Sequence, residues 1–291
     1  SNNASIIVRN LRLTSEMKYI NEFLGGVPAL AFDDFRAELQ HLKTPGTAVD
    51  IPVLQAIAFI IEKLSDLRAL FSQNEEQTPL LCEWINQIMF DSTLAKRIGE
   101  VIDEDGEIRS SASERLAEIR KEITGQRRKI EKTIQSMLKS LKEKGQVDED
   151  VNLSIRGGRL VIPVHASKKR MIKGVVLDES ATGQTVFIEP IEIFELNNEV
   201  QDLEFEEKRE IIKILTALAD RIRPQISELF EHIDFIGKID FINAKSKLAI
   251  LYNAVMPVIS EDRRMTIMQG RHPVLEESLK KSGRKIIPLD L

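Results

Sequence analysis

Apolar residues recur at helical spacing along two long stretches of the chain, which flank residues 151–190. In residues 110–146 the apolar positions step by threes and fours, at Leu116, Ile119, Ile123, Ile130, Ile134, Met137 and Leu141. In residues 191–233 the same spacing recurs at Leu196, Val200, Leu203, Ile211, Leu215, Leu218 and Ile222. Narrow apolar seams of this kind are typical of coiled coils, so each stretch predicts a long amphipathic helix.

The sequence also indicates where these helices begin and end. Ser111 or Ser113 can cap the first helix and Gly145 can end it, which predicts about 35 residues, or roughly 50 Å. Pro224 predicts an end or a kink in the second helix, because proline lacks the amide hydrogen that a helix interior needs. Since residues 151–190 connect the two helices, we expect them to pair in antiparallel orientation.

Aligning the two seams predicts a register for this pair. The predicted neighbours are Ile134 with Val200, Ile123 with Ile211, and Arg127 with Glu206 or Glu207. Net charge supports the pairing, because residues 110–146 hold ten Lys and Arg against five Glu, while residues 191–233 hold five against eleven acidic residues. Opposite charges favour this pairing over self-association.

The connecting segment has the composition of a small β-sheet. Four β-branched runs end near residues 155, 166, 178 and 190, and "ASKK" and "SATG" supply turns between them. Gly183 suits a turn position with positive φ, and Pro163 predicts that the second strand is an edge or carries a bulge. So small a sheet is marginal by itself, so we expect it to pack on the helix ends.

Charge is distributed unevenly along the chain. The whole chain has a net charge of −5, yet residues 151–177 contain no acidic residue. Their six cations, the candidate phosphate-binding residues, are Arg156, Arg159, Lys168, Lys169, Arg170 and Lys173. Clustered cations favour phosphate contacts, although lysine also keeps exposed edge strands from pairing with other chains.

Other chemistry has little support in the sequence. Cys82, the single cysteine, lies among apolar residues, which predicts a buried structural thiol and a reducing, cytoplasmic location. The four histidines lack metal-ligand spacing, and no nucleophile has a nearby base. We therefore expect no metal, no cofactor, no catalytic residue and no enzymatic activity in this chain. Residues 5–109 predict further amphipathic helices, among them one with Pro52 in its first turn.

The stretch "RGGRLVIPVHASKKRMIKGVVLDESATGQTVFIEP", followed by "ELNNEV", resembles the MutS-like family of DNA repair ATPases. The likeness is to its second branch, the MutS-II type, which lacks mismatch-recognition domains. Further similar stretches are "IDEDGEIRSSASERLAEIR", "IDFINAKSKLA" and "GRHPVLE". The resemblance implies a helical core, two lever helices and a β clamp that touches duplex DNA. It also implies a P-loop ATPase that uses ATP and Mg, dimerisation, and in many members a nuclease domain.

The chain itself contains no G-x-x-x-x-G-K-[ST] motif. We therefore expect it neither to bind ATP tightly nor to hydrolyse it, and to be a monomer or weak dimer, whereas the parent protein would be a homodimer. The expected fold class is mainly α, a helical core with a long antiparallel coiled-coil lever carrying a small antiparallel β clamp. The expected segments are core 1–109, ascending lever 110–150, clamp 151–190, descending lever 191–233, core 234–262, and the leading edge of a truncated ATPase 263–291.

The expected function is non-sequence-specific binding of duplex or branched DNA, in DNA repair or recombination control, with no membrane contact. The alternative is a coiled-coil module of the same architecture that binds the ribosome, RNA or another protein. Phosphate contacts supply affinity without sequence specificity, and they serve DNA and RNA equally. The sequence therefore leaves the choice of ligand open.

Overall fold

A computed structural model describes residues 3–260 and 264–291. Its helices are, in chain order, α1 (Ala4–Phe23), α2 (Arg36–His41), α3 (Ile51–Gln73), α4 (Pro79–Asn86), α5 (Ser92–Val101), α6 (Glu114–Glu143), α7 (Ile191–Ile222), α8 (Ile226–Leu251) and α9 (Pro273–Lys281). One small antiparallel sheet accompanies them. The fold is mainly α with a long helix pair and a four-stranded sheet, which confirms the predicted class. The predicted boundary at residues 262 and 263 lies outside the described residues.

The chain divides into two compact units. The first comprises residues 1–40, 53–96 and 224–291, and the second comprises residues 41–52 and 97–223. The first unit is a helical core in which α1 packs on α8 and on α4. Its largest buried side chains include Phe71, Met17, Leu54 and Ile60, and apolar burial of this kind is the main stabilising contribution to a helical core.

Two sequence predictions concern residues 5–109. Cys82 is 2% exposed, which confirms a buried thiol. Pro52 is the second residue of α3, where a missing amide hydrogen costs no helical hydrogen bond. His232 is buried as well, and the Met89 carbonyl accepts a hydrogen bond from its Nε2 at 2.7 Å. Burial lowers the pKa of this imidazole, because a charged ring would lose its hydration.

The ends of α6 and α7 agree with the predicted signals. Ser113 is the N-cap of α6, and its Oγ accepts a hydrogen bond from the Leu116 amide at 3.0 Å. The helix ends at residue 143, and Gly145 follows with φ of 65°, a left-handed conformation that glycine adopts without strain. α7 ends at residue 222, just before Pro224.

The helix pair, α6 with α7, is antiparallel, but its predicted register is wrong. Contacts nearer the C-terminal end of α6 are made with residues nearer the N-terminal end of α7. The side-chain pairs join Ser113 to Glu210, Arg115 to Glu206, Arg120 to Glu207, Gln126 to Glu199 and Arg127 to Glu204. The predicted alignment would have placed Gln126 near residue 207. The observed pairing is displaced from it by about one heptad, or two helical turns.

Chain connections explain this displacement. α7 begins directly after the last strand, and the Ile191 amide donates to the Lys173 carbonyl at 3.0 Å. α6 instead ends at residue 143, and ten residues separate it from the first strand at Ser154. α6 therefore extends beyond the start of α7 and packs its last turns on the sheet. A heptad shift keeps apolar residues facing one another, so the seams alone could not reveal it.

The sheet comprises β1 (Ser154–Arg156), β2 (Arg159–His165), β3 (Gly174–Glu179) and β4 (Thr185–Pro190), in the order β1-β2-β4-β3. All neighbours are antiparallel. β2 is not the edge strand that Pro163 predicts, because it lies between β1 and β4. β1 however pairs only with residues 159–161, so no strand on that side requires an amide from Pro163.

Two glycines fix local geometry in the sheet. Gly183 has φ of 68° in the turn before β4, as its position in "SATG" predicts. A Cβ atom on Gly174 would lie 2.2 Å from the carbonyl oxygen of Glu189, so only glycine permits β3 to approach β4 this closely. β3 forms the outer edge and contains an irregularity between Val176 and Asp178, a feature that discourages further strand pairing.

Candidate nucleic-acid interface

The β insert, residues 151–190, is anchored by an apolar layer between its sheet and the helix pair. Buried members of this layer are Ile162, Val164, Val186 and Ile188 of the sheet, Ile134 and Leu138 of α6, and Ile193 of α7. Burial of each such side chain stabilises by about 1.5–3 kcal/mol relative to exposure. The layer confirms that the sheet packs on the helix ends, and it holds the strands that carry or flank the six predicted cations.

Arg159 is paired with a buried carboxylate. Its Nη1 donates to both carboxylate oxygens of Glu189, at 3.3 and 3.1 Å, and Glu189 is fully buried. Asn197 Nδ2 donates a further hydrogen bond to Glu189 Oε1 at 2.5 Å. A buried carboxylate without partners is strongly destabilising, so this network is required where β4 meets α7. The Arg159 guanidinium thus has a structural role.

Arg156 lies over an aromatic ring and beside an acid. Its guanidinium carbon is 3.8 Å from the centre of the Phe187 ring, and its Nε is 2.9 Å from Asp178 Oδ2. Phe187 is only 9% exposed, because the Arg156 side chain covers it. This stacking adds a side-chain contact from β1 to β3 and β4, the strands that carry Asp178 and Phe187. The β1–β2 hairpin is joined to β4 by the β2–β4 pairing itself.

Lys168 forms a more exposed pair. Its Nζ lies 3.2 Å from Asp148 Oδ1, in the loop between α6 and β1, and the Asp148 side chain is 70% exposed. The pair ties that loop to the 3₁₀ helix Ala166–Met171, which connects β2 to β3. Exposed pairs of this kind contribute little to stability.

The other three cations of the β insert are exposed and unpaired. Lys169 and Arg170 lie on the 3₁₀ helix, and Lys173 lies just before β3. Within the part of the chain that the structure describes, none of the three forms an ion pair with an acidic side chain. His165 orders the start of the 3₁₀ helix, since its Nδ1 accepts from the Ser167 amide at 3.3 Å. We refer to Lys169, Arg170 and Lys173 as the free cations.

Sequence reasoning missed the acidic partners of the paired cations. Asp148 and Asp178 lie just outside the acid-free residues 151–177, and Glu189 lies further along β4. A signal for Glu189 was present, because a glutamate within the apolar run "TVFIEP" can be buried only with a cation or several donors. Phe187 in the same run was the unrecognised aromatic partner.

A cleft of about 590 Å³ lies between the Gly157–Gly158 turn and the helix pair. Its charged lining is balanced, with Arg127 and Arg159 opposed by Glu131 and Glu204. Arg127 Nη2 lies 2.6 Å from Glu204 Oε1, so its charge is already matched. A phosphate group needs an excess of donors and positive charge, and this cleft does not supply it. The free cations are therefore the better candidates for phosphate contact.

Metal and nucleotide chemistry find no support in the described residues. Across residues 3–260 and 264–291, no group of three His, Cys, Asp or Glu side chains approaches as a metal centre requires. The whole sequence contains no P-loop, and Ile287, near the last residues, is 89% exposed and apolar. In the same described ranges, no helix combines the length and apolarity needed to cross a membrane.

Curated proteins give close matches, whereas no family model matches the chain. The chain is 32% identical over 267 residues to the endonuclease MutS2 of Finegoldia magna, covering 91% of this chain and 33% of that protein. The endonuclease MutS2 of Carboxydothermus hydrogenoformans is 35% identical over 213 residues, covering 73% and 26%. That of Pelotomaculum thermopropionicum is 29% identical over 289 residues, covering 99% and 36%. The chain spans about a third of the length of the curated relatives that it matches.

Proposed function

Because the chain belongs to the MutS2-type branch of the MutS-like family, we propose that it is the DNA-binding region of a protein that acts in DNA repair or recombination control. The β insert is the proposed clamp, and the helix pair is the proposed coiled-coil lever that carries it. Binding is to the phosphate backbone of duplex or branched DNA and does not depend on sequence. The proposed location is the cytoplasm.

One observation carries the proposal: the free cations lie together on a rigidly supported segment. The 3₁₀ helix is held between β2 and β3, which belong to a sheet anchored on the helix pair. Lys169, Arg170 and Lys173 are exposed, so their charge is available to phosphates. Arg156, Arg159 and Lys168 belong to the same β insert, but each already neutralises an acid. We propose direct phosphate contacts for the free cations and a supporting role for the other three.

Nucleotide hydrolysis and nuclease activity are proposed for other parts of such a protein. The relatives are named endonucleases, and this chain matches about a third of their length. The resemblance implies ATP and Mg binding and homodimerisation. We assign these properties to the parts of the relatives that this chain does not cover. The 291 residues hold no P-loop, so ATP hydrolysis is not proposed for them. Residues 263–291 are proposed as the leading edge of the ATPase.

The proposal is tested by replacing the free cations together, as Lys169→Ala, Arg170→Ala and Lys173→Ala. Affinity for duplexes of any sequence should weaken alike, and the slope of log affinity against log salt should fall by about 0.9 per lost contact. Fluorescence anisotropy at several salt concentrations measures both quantities. The matched control replaces Lys238, Lys247 and Lys285, three exposed cations of the first unit, with alanine.

The outcomes are distinct. Unchanged affinity and salt slope in the triple variant, with weaker binding in the control, would move the site away from the β insert. Branched DNA and structured RNA should be titrated alongside duplex DNA. Tighter binding to structured RNA than to either DNA would favour the ribosome or RNA alternative, in which the same cations contact RNA phosphates.

A further inference from the structure

Four cations form a line on the side of α6 that faces away from α7. They are Lys121, Arg128, Lys132 and Lys139. At about 100° per residue, their spacing keeps them within about 40° of one another around the helix axis. The buried residues Ile123 and Ile130 lie about 180° from them, against α7. We refer to these four cations as the α6 stripe.

Pairing of the two helices does not use the α6 stripe. The ion pairs from α6 to α7 come from Arg115, Arg120 and Arg127. Within the described residues, Lys121, Arg128 and Lys132 form no ion pair. The Lys139 side chain is 80% exposed, and its Nζ lies 4.0 Å from Glu143 Oε1, which is the limiting distance for a salt bridge. The positive charge of α6 therefore exceeds what its partner helix neutralises.

The surface around the α6 stripe favours a polyanion over a protein partner. Its exposed neighbours on the same face include Gly125, Gln135 and Ser136, and the acidic residues nearest this face, Glu118 and Glu143, lie at the two ends of the stripe. α6 exposes no large apolar side chain within the described residues. Protein interfaces depend on buried apolar or aromatic anchors, which this face lacks. A phosphate backbone needs only cations and close approach.

We propose that the α6 stripe is a second contact surface for the phosphate backbone of the nucleic acid that the β insert binds. The inference rests on the proposed function, since it takes the same ligand. The stripe is about 27 Å long, most of one turn of a duplex, which is about 34 Å. A duplex can therefore contact several stripe cations at once.

One contact and the charge of α7 indicate where such a ligand would lie. The Lys168–Asp148 pair ties the loop after α6 to the 3₁₀ helix, which brings the free cations near the C-terminal end of the stripe. α7 exposes Glu195 and Asp202 on its own outward face, and these repel phosphates. The ligand consequently follows the α6 side of the helix pair.

The test is a fourfold variant, Lys121→Gln, Arg128→Gln, Lys132→Gln and Lys139→Gln, in the full chain. Glutamine keeps helix propensity, and all four side chains are exposed, so circular dichroism should be unchanged. Affinity for a 30-base-pair duplex should fall at least tenfold, and the salt slope should fall by about 0.9 per lost contact. An 8-base-pair duplex is too short to contact both the free cations of the β insert and the far end of the stripe. Its affinity should therefore fall much less. The matched control replaces Lys238, Lys247, Arg284 and Lys285 with glutamine.

Each outcome bears on one proposal. If the unaltered chain binds no duplex, the proposed function fails, and the stripe fails with it. If the unaltered chain binds duplex DNA, and the fourfold variant binds both duplex lengths as tightly as the unaltered chain does, only the stripe is overturned. DNA and RNA duplexes separate the two sources of a phosphate backbone, and either supports the stripe. Poly-glutamate serves as a polyanion without phosphate, and an equal loss of its binding would overturn the assignment to phosphate.

Discussion

Arg159 and Arg170 belong to the same small β insert, and their surroundings are opposite. Arg159 lies against the fully buried carboxylate of Glu189, whereas Arg170 is exposed on a 3₁₀ helix without an acidic partner. The first arginine is part of the packing that joins sheet to helix. The second contributes nothing to that packing, and its charge is available to a ligand. Stability and binding are thus assigned to different cations, and mutations can separate them.

The largest expected effect in this comparison is that of Arg159→Ala. Glu189 would remain buried without its main cation, which should lower the local free energy of unfolding by about 3 kcal/mol. Hydrogen exchange of amides in β2 and β4 measures this directly. Arg170→Ala is the control and should change the same amides by less than about 0.5 kcal/mol. Equal protection in the two variants would remove the distinction between the arginines.

Arg156→Ala should have a smaller effect, about 1 kcal/mol. It removes a cation–π contact and a half-exposed ion pair, and it uncovers the Phe187 ring. Asp178→Asn removes the ion pair alone and should cost less. Urea denaturation of the two variants therefore tests whether the ring contact predominates. A larger loss for Asp178→Asn would show that the ion pair, not the stacking, is the main contribution of Arg156 to stability.

The smallest expected effect is that of Lys168→Ala. Its partner Asp148 is mostly exposed, so the pair should contribute within about 0–0.5 kcal/mol. A double-mutant cycle with Asp148→Asn measures the coupling. The informative companion is Asp148→Asn alone, which frees Lys168 and adds a net positive charge beside the free cations. Duplex affinity should then rise slightly, and a fall would show that the Lys168–Asp148 pair is needed to position the free cations.

Local signals in the sequence predicted most elements of the second unit. Ser113, Gly145 and Pro224 lie at helix ends, and Gly183 lies in a turn, because capping and turn chemistry act over a few residues. The register of the helix pair was not predictable in this way. It depends on how the connecting segment joins each helix, and a heptad repeat tolerates a shift of one repeat.

The candidate site shows the same division between local and distant information. A basic segment was evident from residues 151–177, but the pairing of its cations was not, since Asp148, Asp178 and Glu189 approach only when the strands pair. The charge of α6 was attributed to pairing with α7. The α6 stripe emerges only when the buried face of that helix is known.

The connections of the β insert to its two helices differ in length. β4 continues into α7 without a linker, and the Ile191 amide and the Glu189–Asn197 contact bind sheet and helix together. α6 reaches the sheet through a loop of ten residues. A displacement of the sheet would therefore be transmitted directly to α7, whereas on the α6 side it would act through a loop held by buried Val147 and by the Lys168–Asp148 pair. Glycines inserted after Pro190 should weaken the coupling between the sheet and α7 while leaving the α6 connection in place.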